Sequence, residues 1–152
     1  MTQITISKQS SAQWTATFNN PPINLIDPDT IGELQDLIAA LESDAEVKVV
    51  VFRSADPDFF LAHWDVLADK AKVAAMPAGP TGLHPRTDVL VRLSRAPVAS
   101  IAEIRGRARG PGANLCSLAI CVSPAASEES SGNSKSVWAR YPAEIPWRDL
   151  PA

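Results

Sequence analysis

Two short segments hold most of the residues that could do chemistry. Residues 59–67 read FFLAHWDVL, which contains His63, and residues 105–112 read RGRARGPG. A histidine can act as a general acid or base near neutral pH, although a lone histidine without a partner carboxylate is weak evidence for that role. The arginines of the second segment could contact phosphate groups, or they could simply be solvated at a surface turn. Each segment follows an apolar run, so each is predicted to be a loop at the end of a strand.

Cysteine content and charge argue against several classes of function. Cys116 and Cys121 are the only cysteines, too few for a disulfide framework, and no histidine pair lies near them to complete a zinc site. We therefore predict no metal and no resident cofactor. The formal net charge of -3 gives no basic patch of the kind that nucleic acids or anionic membrane surfaces attract. No apolar run reaches the ~20 residues of a membrane-spanning helix and no secretory pattern opens the chain, which predicts a soluble cytoplasmic protein.

The N-terminal part of the chain predicts a hairpin followed by a helix. Residues 4–7 and 14–18 alternate apolar and polar side chains, as in antiparallel strands with one buried face. Asp27 can cap a helix, and Pro28 suits its first position. Apolar residues then recur at helical spacing and predict a buried helix face, formed by Ile31, Leu34, Leu37, Ile38 and Leu41.

Two further apolar runs predict parallel strands joined by a helix. Residues 47–52 and 98–104 are nearly continuous in apolar character, as in strands covered on both faces. Residues 87–95 between them predict a helix, after a stretch rich in proline and glycine. Strand, helix and strand in this order predict a crossover connection. Glu103 is unusual in such a strand, and it could point into a ligand cleft or reflect tolerated damage.

The two loop segments together resemble a known family. A strand leading into an F-x-A-x-x-D loop at residues 60–65, with a Gly-rich turn about 45 residues further along after a second strand, resembles the crotonase superfamily of enoyl-CoA hydratases and isomerases. The resemblance implies an α/β fold of the crotonase (ClpP/crotonase) type, a spiral of ββα units that is truncated here. It covers residues 1–112, a partial domain, whereas residues 113–152 are an atypical tail predicted to be poorly ordered.

The resemblance also implies an oxyanion hole, in which two backbone N–H groups polarise the carbonyl of a thioester. One donor position corresponds to Ala62. The other corresponds to Pro111 between Gly110 and Gly112, and proline has no N–H to donate. A one-residue difference in alignment would let Gly112 donate instead. The family's first catalytic carboxylate corresponds to Asn114, which cannot take up a proton, and the segment that carries the second is absent.

The same resemblance assigns the residues that would contact an acyl-CoA. Trp64 could pack on the acyl or pantetheine portion, or it could simply cover the core as a loop aromatic. His63 replaces a glycine that leaves room for the acyl group in the family. The predicted substrate-binding residues are Asn24, Leu25, Ile26, Ala62, His63, Trp64, Asp65, Gly110 and Gly112.

The tail suggests why the family pattern stops. Codons shifted by one base from near Gly112 onward permit S-E-F-V-L-A-C-D-L-R-F-A-S-R-E and then L-E-I-G-V-G-A-L-P-G-G, which are crotonase patterns. Trp138 has a single codon and the first bases of Ala139 are invariant, so the glycine that this pair encodes in the shifted frame is forced. We hypothesise that the tail is an out-of-frame translation.

The sequence thus predicts a protein that binds an acyl-CoA thioester, with catalysis impaired by the missing carboxylates. Its parent would carry out the hydration or isomerisation of fatty acid metabolism through an enolate. The family is trimeric or hexameric, and this chain is predicted not to form the trimer because the C-terminal region is missing. A non-enzymatic module that binds acyl-CoA or a protein is the main alternative. A small α/β binding protein that shares the loops by chance is another.

Overall fold

The computed structural model of the chain describes residues 2–122. Strands and helices alternate through this part of the chain. The strands are β1 Ile4–Lys8, β2 Gln13–Phe18, β3 Val49–Ser54, β4 Phe59–Leu61, β5 Ala99–Glu103, β6 Arg107–Ala108 and β7 Ile120–Val122. The helices are α1 Pro28–Ser43, α2 Lys70–Ala75, α3 Pro85–Arg95 and α4 Pro111–Leu118.

The main sheet is mixed, with strand order β1-β2-β3-β5-β7. The predicted hairpin is confirmed, since β1 and β2 pair antiparallel with Ile4 opposite Phe18. The parallel pairing of the two apolar strands is also confirmed, since Val49 of β3 lies opposite Ala99 of β5. Strand β2 also pairs parallel to β3, and β7 parallel to β5. The predicted α/β architecture is therefore present.

Helix α1 begins where the sequence predicts, at a reciprocal cap. The Asp27 carboxylate accepts a hydrogen bond from the Thr30 N–H at 2.8 Å and another from the Gln3 side-chain amide at 2.8 Å. Burial alone would raise the pKa of Asp27, but these hydrogen bonds outweigh it and hold that pKa below its ordinary value. The Glu33 carboxylate accepts from the backbone N–H of Gln3 at 2.9 Å. These contacts attach α1 to the start of β1.

The core lies between the sheet and the apolar face of α1. All five predicted α1 positions are buried. Phe18 stacks on Phe52 with ring centroids 6.1 Å apart, and Phe60 meets Phe18 edge to face at 6.0 Å. Such aromatic pairs stabilise the fold beyond the area that they bury. The three rings fasten the short strand β4 to the main sheet.

Helix α3 is joined to α1 by an ion pair whose arginine is largely buried and whose glutamate is exposed. It begins two residues earlier than predicted, because Pro85 takes its first turn and His84 caps it. Arg92 bonds to Glu42 of α1 at 2.7 Å and lies 3.6 Å from the Asp88 carboxylate, which is completely buried. Burial would raise the pKa of Asp88, but hydrogen bonds from Thr81 and the charge of Arg92 lower it below its ordinary value.

Besides the start of α3, the strands and the place of Glu103 differ from the sequence prediction. Strands β4 and β6 pair parallel to each other in a second small sheet, which their short, irregular pattern did not indicate. Residues 49–51 alternate in burial rather than being covered on both faces, with Val50 buried between two half-buried valines. Glu103 does not line the cavity described below but forms an ion pair with Arg105 at 2.7 Å.

The predicted boundary after Gly112 falls inside helix α4. Residues 113–122 complete that helix and form β7, whose pairing with β5 extends the main sheet. The prediction of a poorly ordered tail from residue 123 onward lies outside the described residues. Among residues 2–122, no helix is long and apolar enough to cross a bilayer, and no cluster of side chains is suited to hold a metal ion.

We expect the charge of Asp27 to stabilise the fold above pH 4. Because the pKa of Asp27 is lower in the folded state, its stabilisation is present above the ordinary value of 3.8 and is lost as the pH falls through the folded value. Asp27→Asn keeps a cap acceptor without the charge, whereas Asp27→Ala removes the cap and should lower the free energy of unfolding by about 0.5–2 kcal/mol. Denaturant unfolding at pH 7 and pH 3 measures both effects. The stability advantage of the wild type over Asp27→Asn should be larger at pH 7 than at pH 3, with the exposed Asp36→Asn as control, and a difference independent of pH would contradict the assignment.

We expect Arg92→Met to destabilise the fold by about 3–5 kcal/mol, since it leaves the buried Asp88 charge without its cation. Arg95→Met, on the exposed end of the same helix, is the matched control and should change stability by less than about 0.5 kcal/mol. The double variant Arg92→Met with Asp88→Asn should recover part of the loss, because the uncompensated charge is then gone. Strictly additive losses in urea unfolding would argue against a coupled pair.

Candidate functional site

The loop after β4 is held by a short backbone ladder. The Ala62 N–H donates to the Asn24 carbonyl at 3.1 Å, the Ile26 N–H donates to the His63 carbonyl at 2.9 Å, and the Asp65 N–H donates to the Ile26 carbonyl at 2.8 Å. Through these bonds the two segments pair in parallel around an isolated bridge between Ile26 and Trp64. Sequence reasoning placed both segments near the ligand, but it did not predict that they pair with each other.

Asn24 is an internal clamp. Its side chain is 1% exposed, and its amide nitrogen donates to the Ser54 hydroxyl at 2.6 Å and towards the Phe59 carbonyl at 3.3 Å. Its amide oxygen accepts from the Asn20 N–H at 2.6 Å. The backbone φ of 51° is a left-handed conformation that asparagine tolerates better than most residues. The Asn24 side chain is therefore committed inside the protein, and the contact of residues 24–26 with CoA stays a prediction.

The predicted first donor of the oxyanion hole is also corrected. The Ala62 N–H is not free, because it makes the bond to Asn24 described above. Within residues 2–122, the N–H groups of His63 and Trp64 donate to no protein acceptor. The loop therefore offers donors one and two residues beyond the predicted position, which only the ladder could reveal.

The Gly-rich turn lies directly against this loop. The Arg109 N–H donates to the Leu61 carbonyl at 3.0 Å. A Cβ atom at position 112 would lie 2.6 Å from the Leu61 Cβ, so only glycine permits this approach. Gly110 has a φ of 53° and faces His63, whose Cβ would be 3.7 Å from an added side-chain carbon. The predicted meeting of the two segments is thus present, and the close approach to Leu61 explains Gly112, whereas the left-handed backbone explains Gly110.

The turn supplies no second donor at the positions considered. Pro111 is the first residue of α4 and has no N–H. The alternative donor, the Gly112 N–H, is committed to the Arg109 carbonyl at 3.1 Å. Neither alignment therefore places a free amide in this turn opposite the 62–65 loop.

A cavity of about 130 Å³ opens beside the loop and the turn. Its walls come from α1, α3 and α4 together with the end of β4, and they are mainly apolar. They include Ile26 of the ladder, Leu61 directly before Ala62, and Leu115 of α4. Asn114, to which the resemblance assigns the position of a catalytic carboxylate, lines this cavity and is exposed. The predicted catalytic position thus adjoins a space that a ligand could enter, but its side chain is an amide.

The other predicted binding residues play different parts. Trp64 is half buried, packs against the core and lies under the guanidinium of Arg86, whose carbon is 4.8 Å from the ring centroid. His63 is exposed, and its Nδ1 lies 2.8 Å from the Trp64 carbonyl. Asp65 accepts from the Leu67 N–H at 2.9 Å, which makes it a turn residue. Leu25 is half buried, and its carbonyl accepts from the Asn20 side chain at 2.8 Å.

The remaining chemical candidates have structural partners or stay in solvent. Arg107 lies 5.4 Å from the Phe59 ring centroid, whereas Arg109 is exposed. Burial is the main cause that raises the pKa of the Cys116 thiol to about 12, so it is not a thiolate nucleophile near neutral pH. The Cys121 thiol donates to the Cys116 carbonyl at 2.9 Å.

Comparison with known proteins gives one consistent result. The sequence profile of the enoyl-CoA hydratase/isomerase family matches residues 9–131, which extends past the predicted break at Gly112. The human mitochondrial methylglutaconyl-CoA hydratase is 34% identical over 109 residues, covering 72% of this chain and 31% of that protein. The mouse protein of the same name is 33% identical over the same length and is covered to 34%.

Solved structures give the same fold. A protein from Streptomyces avermitilis assigned as an enoyl-CoA hydratase superposes with a TM-score of 0.74 at 29% identity, covering 82% of this chain and 47% of that one. Pseudomonas aeruginosa DspI superposes with a TM-score of 0.68 at 27% identity, covering 81% and 46%. The chain spans about a third of the length of the curated relatives that it matches in sequence, the human and mouse hydratases. With its ladder, its Gly-rich turn and a profile match over most of its length, the chain belongs to the enoyl-CoA hydratase/isomerase family.

Proposed function

We propose that this chain binds an acyl-CoA thioester, with the acyl group in the cavity beside the 62–65 loop, and that its catalysis is impaired. The observation that carries the proposal is the close contact between this loop and the turn around Gly112, directly beside an apolar cavity. Family membership supplies the thioester as the class of ligand. An apolar cleft with few polar groups is the usual form of a small-molecule site.

The backbone N–H donors give the first reason to expect impaired catalysis. An enolate oxygen is stabilised by N–H groups that are already oriented towards it. On one side, the N–H groups of His63 and Trp64 are available. In the turn opposite, Pro111 has no N–H group and the N–H group of Gly112 is already bonded. Removing one such donor from other enzymes costs about 2.7–4 kcal/mol of transition-state stabilisation. At the two positions that the family resemblance assigns to it, the turn therefore contributes no N–H group.

Impairment follows from proton transfer as well. General acid and base catalysis needs a titratable group within reach of the reacting atoms. The only side chain of an acidic or basic type among the residues that line the cavity is Arg86, a cation with no acceptor atom. Asn114 occupies the position of the family's first carboxylate and cannot replace it. Within residues 2–122, the cavity thus supplies a binding surface without an acid or base.

A second function, a protein-binding module, is favoured by a separate observation. Strand β7 pairs with β5 as its one neighbour within the described residues, and its Ile120 is 65% exposed. A sheet edge with apolar side chains can accept a strand from a partner. The cytoplasmic location, the lack of nucleic-acid or membrane partners and the inability to form the family's trimer stay predictions from the sequence.

We further propose that the composition of the tail arises from a shifted reading frame. The support is the family pattern that one base restores, together with the forced glycine at Trp138 and Ala139. Sequencing the coding DNA tests it directly. Restoration of one base near the Gly112 codon should regenerate the family pattern, and a DNA sequence that did not would overturn the proposal.

We expect the protein to bind crotonyl-CoA without hydrating it above the buffer rate. Titration calorimetry measures binding, and the loss of absorbance of the conjugated thioester measures turnover. Pro111→Gly restores an N–H and Asn114→Glu restores a carboxylate, so the double variant should exceed either single variant in turnover, by about 10²-fold or more for the restored donor. Arg53→Gln, exposed on β3, is a control that should change nothing. Turnover by the wild type well above buffer would contradict the impairment, and absence of binding would contradict the function.

A further inference from the structure

The cavity has a mainly apolar body and a cationic rim. Ile31 and Leu34 of α1 face Val89 and Leu90 of α3 across it, and all are buried or half buried. Its polar lining residues are Arg86, Thr87 and Asn114. All three can donate hydrogen bonds, and the only formal charge among the lining residues is positive. The chemistry of the rim therefore favours a ligand that carries an anion at the end of a short apolar stretch.

The guanidinium of Arg86 is oriented by the site loop itself. Its carbon lies over the Trp64 ring, 4.8 Å from the ring centroid, and Trp64 is paired with residues 24–26 through the ladder. A guanidinium that stacks on an aromatic face keeps the N–H groups of its edge free for a planar, bidentate acceptor such as a carboxylate. The stacking thus connects the loop that would hold the thioester to the cation at the rim.

No carboxylate of the described chain neutralises this cation. Within residues 2–122, Arg86 forms no ion pair. Asp88 is two residues away, but it is completely buried, and it bonds to the Thr81 N–H at 3.0 Å and pairs with Arg92. The side chains of Thr87 and Asn114 likewise make no hydrogen bond within that part of the chain. Within residues 2–122, the rim therefore presents hydrogen-bond donors and no negatively charged acceptor.

We infer that the cavity selects acyl-CoA thioesters whose acyl group ends in a second carboxylate, with Arg86 as the residue that recognises it. The inference rests on the proposed function, because it concerns the acyl end of the same site. The apolar walls hold the carbon chain, and Thr87 and Asn114 add neutral donors beside the guanidinium. The volume of about 130 Å³ suits a short acyl group rather than a whole ligand, since sites for drug-sized molecules are roughly 300–1,000 Å³.

The experiment compares two thioesters that differ only at the far end of the acyl group. Glutaconyl-CoA carries a terminal carboxylate, whereas crotonyl-CoA has the same unsaturation and ends in a methyl group. Any contribution from the nucleotide and the pantetheine cancels in the ratio of their dissociation constants. Titration calorimetry on the wild type, Arg86→Gln, Arg86→Lys and the control Arg95→Gln gives that ratio for each protein. Circular dichroism checks that the variants stay folded, and the exposed position of Arg86 makes this the expected result.

We expect the wild type and Arg95→Gln to bind glutaconyl-CoA about tenfold more tightly than crotonyl-CoA, as a charge-assisted hydrogen bond would give. Arg86→Gln should bring the two dissociation constants within about twofold of each other without weakening the binding of crotonyl-CoA. Arg86→Lys should keep part of the preference, because the single charge of an ammonium group replaces the planar, two-pronged guanidinium. The preference should fall as salt is added.

Three results would overturn the inference. Equal affinities in the wild type would show that the rim does not recognise the carboxylate. A preference that persists in Arg86→Gln would assign the recognition to another group. If Arg86→Gln weakened the binding of both thioesters equally, the guanidinium would contact the part of the ligand that they share. In each of these cases acyl-CoA binding itself stands, whereas absence of binding by either thioester would overturn the proposed function as well.

Discussion

The buried side chain of Asn24 is the constraint on which the candidate site depends. It bonds to the end of β3 and to β4, and its backbone carbonyl accepts from the first residue of the site loop. A buried amide left without partners costs roughly 1–3 kcal/mol, so these segments cannot separate without leaving polar groups unsatisfied. The loop after β4 consequently keeps one conformation against residues 24–26.

That conformation determines which backbone groups remain for a ligand. The ladder uses the N–H groups of Ala62 and Asp65 and leaves those of His63 and Trp64. The contact between Gly112 and Leu61 then brings the turn beside the loop, where Pro111 has no N–H and the Gly112 N–H is bonded to the Arg109 carbonyl. The packing of the turn against the loop is thus kept whichever donors the turn offers. A fold can keep its cavity even where catalytic groups are lost, because apolar walls need only shape, whereas catalysis needs particular atoms.

Much of the fold could be predicted from local patterns. The alternation of β1 and β2, the Asp27 cap and the apolar face of α1 each express a period or a cap within a few residues, and each is present as predicted. Strands β4 and β6 were not predicted, because short strands have too few residues to show a period. The early start of α3 depends on His84 as its cap, a residue that is not among the usual capping types.

By itself, the sequence determined the family, the order of the main elements and the two segments that form the site, since motif spacing and hydrophobic period are properties of the chain. The absence of an N–H at Pro111 was equally a matter of residue type. Only the tertiary structure decided that Asn24 is a clamp, that Ala62 and Gly112 have committed amides and that Arg86 lies over Trp64 at the cavity rim. These facts are hydrogen bonds and contacts between segments far apart in the chain, and no local pattern encodes which partner a backbone N–H will find.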